Sequence, residues 1–251
     1  MRISVVTAVM NGRATLPAML DSLQAQTHQD VEHVVQDGGS TDGSAAYLAA
    51  RGLRNMVLQS NADTGIYDAI NQGIGRASGD IVGLLHADDQ LAAPDVLARV
   101  AQAMTDPAID GVYGDLQYIA RDDPTRVIRH WKAGAYSAAH LKRGWMPPHP
   151  TLYLRREVFA RVGLYDTSYR IAGDYEAMLR YLTAGRVRLG YIPQVMVQMK
   201  MGGVSNRSFA HMIRKSREDY RAIRRHGVGG IGTLVAKNLS KLPQFIESGQ
   251  V

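Results

Sequence analysis

Short apolar runs alternate with stretches of helical periodicity along the first hundred residues. Ile3 to Val9 is β-branched and almost wholly apolar, and Asn11-Gly12 ends it, which predicts a buried strand and a turn. From about Thr15 the apolar positions Leu16, Met19, Leu20 and Leu23 fall at helical spacing, with Pro17 tolerated in the first turn. Val31 to Gln36 predicts a second strand running into Asp37-Gly38-Gly39-Ser40-Thr41-Asp42-Gly43. Glycines there permit a tight turn, and Ser40, Thr41 or Asp42 can cap a helix from about Ser44. Met56 to Gln59 predicts a third strand, followed after Asp63-Thr64-Gly65 by a helix over Ile66 to Ala77. Ile81 to Leu85 predicts a fourth, and Pro94 to Met104 the helix after it.

Strand, turn and helix thus repeat four times within about 105 residues, the pattern of a parallel sheet with right-handed crossovers. Each predicted strand carries a polar cluster at its carboxyl end: Thr7 to Asn11, Asp37 to Asp42, Asn61 to Asp63, and Asp88-Asp89. In such a topology these ends converge on one edge of the sheet, where ligands bind.

The second half is less regular. Gly111 to Ile119 and Val127 to Trp131 predict a hairpin around Asp122-Asp123-Pro124, with Asp115 at a solvated strand position. Met146-Pro147-Pro148-His149-Pro150 is a rigid loop before a strand over Thr151 to Leu154. Its prolines fix His149, in either a structural or a functional role. Asp174 and Glu176 precede Met178, Leu179, Tyr181 and Leu182, a helical pattern reaching Gly185. Read locally, Asp174 is an N-cap and Glu176 favours the positive end of the helix dipole. Strands over Val187 to Tyr191 and Val195 to Met201 lead to Gly202-Gly203-Val204-Ser205-Asn206-Arg207. That stretch is either a connecting loop or a hinge that closes Ser205 or Arg207 over a ligand.

Composition narrows the chemistry. The 251 residues are 45% hydrophobic and 21% charged, enough for one large domain or a domain with an appendage. With 0 cysteines, disulfides, a thiolate nucleophile and cysteine-ligated metal centres are excluded. Met1 to Ala8 reads as a first strand rather than a signal peptide, and no apolar run approaches the roughly 18 residues of a membrane span, so a cytoplasmic body is expected. The net charge of +6 is unevenly spread: the acids cluster early, whereas Arg and Lys crowd the helix predicted over Phe209 to Arg225. That helix is either a solvated face packed on the domain or an anionic-membrane contact on the inner face of the cell membrane. A second amphipathic segment with Ile231, Leu234, Val235, Leu239 and Leu242 would join it in the second case. Aromatic residues are sparse in the basic stripe, which argues against nucleic acid as a partner.

Carboxylates converging at a sheet edge suit a nucleotide, and Asp88 with Asp89 suit a divalent metal holding its phosphates, although the pair taken alone reads as the start of a turn. Walker and dinucleotide-binding sequences do not explain the crevice: Gly230-Ile231-Gly232, near the C-terminal end, has no strand before it.

Val5-Val6-Thr7-Ala8-Val9-Met10-Asn11, Gln36-Asp37-Gly38-Gly39-Ser40-Thr41-Asp42-Gly43, Asp63-Thr64-Gly65-Ile66-Tyr67-Asp68-Ala69-Ile70-Asn71-Gln72-Gly73 and His86-Ala87-Asp88-Asp89 stand in the order of the motifs of family 2 inverting glycosyltransferases. The chain resembles that family over roughly residues 1 to 205. The resemblance implies a GT-A fold, that is, a Rossmann-like α/β architecture with a mostly parallel sheet and helices on both faces. It implies a nucleotide-sugar donor, UDP-linked as is common in the family, and a saccharide or lipid-linked saccharide acceptor in surface polysaccharide synthesis. Carried over by motif, Thr7, Asn11, Asp37, Asp63 and Asp88 bind the donor, and Asp88 and Asp89 hold Mn2+ or Mg2+. Asp174 is the catalytic base, while His149, Glu176 and Arg207 are acceptor-side or loop candidates. His86 stands where many relatives carry Asp, and either binds the metal or serves as a buried or capping residue.

The expected organisation is a glycosyltransferase domain over 1–205, with a nucleotide-binding half 1–105 and an acceptor-binding half 106–205, and a basic helical extension over 206–251. The rival reading is a nucleotidyltransferase that makes nucleotide sugars, but Met10-Asn11-Gly12-Arg13 is a poor match to the Gly-rich basic loop such enzymes carry after their first strand. A non-catalytic sugar-nucleotide or membrane-binding module is the alternative from another class.

Overall fold

The computed structural model describes residues 1–51, 54–200 and 209–239. In chain order the first half runs β1 (Ile3–Val9), α1 (Leu16–Gln24), β2 (Val31–Asp37), α2 (Ser44–Arg51), β3 (Met56–Ser60), α3 (Ile66–Arg76), β4 (Ile81–Leu84), β5 (Asp89–Leu91) and α4 (Val96–Ala103). The second half runs β6 (Gly111–Ile119), β7 (Val127–Trp131), α5 (Ala138–Leu141), a 3-10 turn (His149–Thr151), β8 (Tyr153–Arg155), α6 (Arg156–Val162), α7 (Gly173–Leu182), β9 (Leu189–Lys200), α8 (Phe209–Arg225) and α9 (Ile231–Leu239).

All nine strands join one sheet in the order β3-β2-β1-β4-β8-β6-β9-β5, with β7 alongside β6. Strands β3, β2, β1, β4, β6 and β9 point one way, and β8, β5 and β7 the other. The mostly parallel sheet with helices on both faces is therefore as the sequence predicts. Strand β1 shows why its run is unbroken: all seven residues are buried, because Val6 and Ala8 face one core while Ile3, Val5 and Val9 face the other. The first core is completed by α3 and α7, the second by α1 and α4.

Several expectations need correction. The residues after the fourth strand form β5, antiparallel to β9, instead of a loop leading straight to the helix. The two strands read over 187–201 are one, β9. Its register against β6 jumps from Gly114↔Ile192 to Asp115↔Val195, so Pro193, which has no N–H to give the ladder, sits at the irregularity that looked like a gap. Asp115 is not a solvated position: it is buried, accepting hydrogen bonds from the Ala133 N–H at 2.8 Å and the Tyr191 hydroxyl at 2.8 Å. Helices α5 and α6 were not expected from the pattern. The basic helix α8 shares the core, with Ala222 and Ile223 fully buried against the α7 side.

Candidate active site

Registers Val9↔Asp37 and Asp37↔Ser60 bring the carboxyl ends of β1, β2 and β3 level, and their loops are stitched together. Asn11, at φ 51°, donates its backbone N–H to Ser40 Oγ at 2.8 Å, and its Oδ1 accepts the Thr41 N–H at 2.9 Å. Arg13 N–H donates to Asp42 Oδ2 at 2.9 Å and Gly12 N–H to Ser44 Oγ at 3.0 Å. Gly38 lies directly against Asp63: a Cβ there would overlap the Asp63 carboxylate and push that side chain from its present place. Asp63 Oδ1 in turn accepts the Gly65 N–H at 2.9 Å.

Asp37 is the buried member of this edge. Its Oδ2 accepts from the N–H groups of Gly39 (3.2 Å) and Ser40 (3.1 Å) and from the Ser60 hydroxyl (2.6 Å). Burial works to raise its pKa, but the hydrogen bonds from Ser40, Ser60 and Gly39 prevail and hold the carboxyl below its usual range. Its other oxygen, Oδ1, has no hydrogen-bond partner among the described residues. An ionised carboxylate with one buried, unused acceptor is a place for a ligand N–H or O–H. Thr7 behaves otherwise. It is fully buried with its hydroxyl 3.0 Å from His33 Nε2, so it backs the crevice instead of opening into it. Burial pushes the His33 imidazole down to about 4, keeping it neutral.

Beyond β4 the chain turns through His86, Ala87 and Asp88 into β5. Asp88 is half-buried, whereas Asp89 is fully buried and neither of its carboxylate oxygens has a hydrogen-bond partner among the described residues. Burial, reinforced by the Asp88 charge, pushes the Asp89 carboxyl well above its ordinary range. Among the described residues no group of three or more His, Asp or Glu is arranged to hold a metal ion. The donor set is thus two adjacent carboxylates, one orphaned and one half-exposed. That fits a hard divalent cation whose remaining ligands are phosphate oxygens and water.

A cavity of about 510 Å³ opens beside this turn, and His86, His149 and Asp174 are among its lining residues. The rings of His86 and His149 lie 5.9 Å apart, and His149 Nε2 is 2.8 Å from the Tyr165 hydroxyl. Burial lowers the His149 imidazole to about 4 against the pull of the Asp174 carboxylate, so it is neutral. Burial likewise lowers the His86 pKa, opposed by the charges of Asp88 and Asp174. One imidazole therefore feels both carboxylates, the one after β4 and the one at the start of α7.

Asp174 is not the cap of α7. The N–H groups of Ile171 and Ala172 donate at 2.8 and 2.9 Å to Glu218 Oε2, from α8. Asp174, one turn-step further, is half-buried, and its Oδ1 accepts the Tyr175 N–H at 2.8 Å. Glu176 points elsewhere. It is fully buried, accepting from Arg180 (3.2 Å) and lying 2.9 Å from His226 Nε2, and it does not line the cavity. Burial raises its pKa, but His226 and Arg180 outweigh it and keep the carboxyl lowered. Arg207 and Ser205 lie outside the described residues.

Among the cavity residues that the sequence motifs do not single out are Trp131, Trp145, Lys215 and Lys237. Tyr67, from a motif quoted above, does not line the cavity but contacts Asp174 from behind it. Its hydroxyl donates to the Ile171 carbonyl at 2.8 Å and lies 3.4 Å from Asp174 Oδ1, while burial and the Asp174 charge push its phenol well above the ordinary value.

Comparison with known proteins identifies the family and the fold. The profile of the family described as "Glycosyl transferase family 2" matches residues 4–168. A PGL/p-HBAD biosynthesis glycosyltransferase of Mycobacterium bovis (strain BCG / Pasteur 1173P2) is 34% identical over 208 residues, covering 81% of this chain and 78% of that protein. An uncharacterized glycosyltransferase of Mycobacterium tuberculosis (strain CDC 1551 / Oshkosh) is 33% identical over 180 residues, covering 71% of this chain and 68% of that one. Among solved structures, S. aureus TarS 1-349 in complex with UDP-GlcNAc superposes with a TM-score of 0.68 at 16% identity, over 91% of this chain and 66% of TarS 1-349. The mannosyltransferase PcManGT from Pyrobaculum calidifontis, in complex with GDP-Man and Mn2+, superposes with a TM-score of 0.68 at 22% identity, over 98% of this chain and 73% of that one. At these identities the likeness is one of fold, the GT-A glycosyltransferase fold.

Proposed function

Because the chain belongs to glycosyl transferase family 2 and is a glycosyltransferase, we propose that it moves a sugar from a nucleotide-sugar donor to a hydroxyl of a saccharide or lipid-linked saccharide, with inversion at the anomeric carbon. The observation that carries this reading is that His86, two residues before Asp88, and Asp174, at the start of α7, line one cavity. A donor bound at the strand ends would present its anomeric carbon to the cavity where Asp174 faces the acceptor.

In the single displacement, the acceptor oxygen forms the new bond to the anomeric carbon as its O–H proton passes to Asp174. The bond from that carbon to the diphosphate oxygen breaks, and its electron pair leaves with the nucleoside diphosphate. Asp37, through its unused Oδ1, takes a hydrogen bond from the base or ribose, with Asn11 and Asp63 shaping the same edge. Asp88 and Asp89 would hold Mn2+ or Mg2+, which would supply charge neutralisation for the diphosphate. Thr7 contributes by fixing His33 beneath the edge. A UDP-sugar is the donor we expect, and TarS, a structural neighbour, has been solved with UDP-GlcNAc.

The chain's surface supports peripheral contact with an anionic membrane, which suits a lipid-linked acceptor. Among the described residues no helix is long and apolar enough to cross a bilayer. Ile231, Val235 and Leu239 are exposed four residues apart along α9, and Arg214, Arg217 and Arg224 are exposed along α8.

The donor chemistry is tested by incubating the protein with UDP- and GDP-sugars and Mn2+ and identifying the phosphate product. Free nucleoside diphosphate is expected. Pyrophosphate released in a parallel incubation with a nucleoside triphosphate and a sugar 1-phosphate would indicate a nucleotidyltransferase, and no nucleoside diphosphate from any donor would overturn the reading.

A further inference from the structure

The cavity that holds Asp174 has a wall that the displacement leaves unused, and it comes from the two C-terminal helices. Lys215 Nζ donates to Asp219 Oδ2 at 2.7 Å, and Lys237 Nζ to Asp219 Oδ1 at 2.6 Å. Both oxygens of one carboxylate are taken by two ammonium groups, so the trio keeps a net positive charge. Asp219 and Lys237 are almost wholly buried, while the Lys215 side chain remains 33% exposed at the cavity wall. Lys237 is held in place by packing. Its Nζ lies 3.6 Å from the centre of the Tyr175 ring, and Gly144 leaves no room for a Cβ against the Lys237 stem. Burial lowers this ammonium to about 8 although Asp219 and Asp174 both act to keep it charged. The same cavity is lined by Tyr118, Trp131 and Trp145, which offer flat apolar faces, and by the Arg129 guanidinium, 4.8 Å from the Tyr118 ring centre.

Two ammonium groups converging on one carboxylate at a partly desolvated wall suit an anionic ligand, and aromatic side chains suit the apolar face of a pyranose ring. We propose that Lys215, Asp219 and Lys237, with Trp131 and Trp145, form an acceptor subsite that takes a saccharide bearing an anionic group, a phosphate ester or a uronate carboxylate. The subsite rests on the assignment of the Asp174 side of the cavity to the acceptor. It makes α8 and α9 part of the substrate-selecting machinery: the anion docks on the ammonium pair and thereby sets which hydroxyl faces Asp174.

The test is a set of binding titrations of the full-length protein in saturating UDP and Mn2+, so that the donor crevice is filled. Glucose, glucuronate and glucose 6-phosphate are the probes. At least one anionic sugar is expected to bind ten-fold or more tightly than glucose, and which of the two does so identifies carboxylate or phosphate as the partner. In Lys215→Met, a change at the partly exposed lysine, that preference should fall to within two-fold, while UDP affinity measured separately stays at the wild-type value. Lys237→Arg should keep the preference. Equal binding of all three sugars by the wild-type protein would overturn the proposal. So would a drop in UDP affinity in Lys215→Met, because the lysines would then serve the donor phosphates. Asp174→Asn separates the two claims: normal turnover in that variant removes the catalytic reading, whereas its preference for anionic sugars still decides the subsite.

Discussion

The Tyr67 hydroxyl donates to the Ile171 carbonyl at 2.8 Å and lies 3.4 Å from Asp174 Oδ1. A residue on the helix after β3 thus props the start of the helix that carries the proposed base, 107 positions away in the chain. Gly173 makes the contact closer still, since a Cβ there would sit 2.7 Å from the Tyr67 ring. This pair ties α3 to the start of α7.

Removing the hydroxyl tests that tie. Tyr67→Phe should lower kcat about 10-fold, short of the roughly 100-fold that an ångström of misplacement costs, with the KM for donor unchanged. Stability should fall by only ~1 kcal/mol, the usual worth of one hydrogen bond. Steady-state kinetics showing a wild-type kcat would contradict the positioning role.

Asp89 links metal to pH. In metal-free protein its raised pKa means that the folded state keeps a proton which the unfolded chain loses near pH 4. The stability from this group is complete below about pH 3.9 and declines as pH rises toward the folded value. Asp89→Asn stays neutral, so in EDTA its Tm relative to wild type should climb from pH 4 to pH 7. Mn2+ should reverse the order at pH 7. At a hundred times its Kd it stabilises the wild-type protein by about 2.7 kcal/mol, and the variant by much less. Equal Mn2+ stabilisation of both proteins would show that Asp89 is no ligand.

Glu176 belongs to the frame of α7. Replacing it with Gln leaves Arg180 and His226 without their buried counter-charge, a loss of ~3 kcal/mol, or roughly 6 to 12 °C in Tm for a chain of this size. Turnover per folded molecule should stay close to wild type, because the carboxylate does not reach the cavity. Thermal unfolding combined with active-fraction kinetics distinguishes this from a role in acceptor binding.

The exposed stripe on α9 predicts a lipid preference. Val235→Asp should cut co-sedimentation with phosphatidylglycerol vesicles several-fold, and 0.5 M salt should weaken the wild-type interaction as charge screening increases. Neutral phosphatidylcholine vesicles should retain little protein. Identical binding to both lipids would argue against a charge-driven contact.

The strand ends were legible in the sequence because each is a short apolar run broken by Gly, Asp or Asn, and this is what put Asp37, Asp63 and Asp88 on one edge. Strand β5 was not: Asp89–Leu91 is too short for any periodicity and exists because β9 offers it an edge. Pro193 split β9 on paper while only kinking it in space. Asp174 was found by its place in a motif, yet local rules misread it as the cap, since Ala172 holds that position and Glu218, from a later helix, ties down the residues just before it. The burial of Thr7 and Glu176 depends on partners, His33 and His226, that no spacing rule connects to them. Lys215 stands i,i+4 to Asp219 within α8, whereas no spacing rule connects Lys237, on the next helix, to the same carboxylate.

The central claim is that Asp174 removes the acceptor proton. Single-turnover measurement of sugar transfer by Asp174→Asn, alongside the affinity of the same variant for UDP and Mn2+, tests it most directly. Transfer should fall by roughly 100-fold or more, the range that general-base catalysis supplies, while UDP affinity stays within two-fold of wild type. A transfer rate near that of the wild-type enzyme would contradict the account.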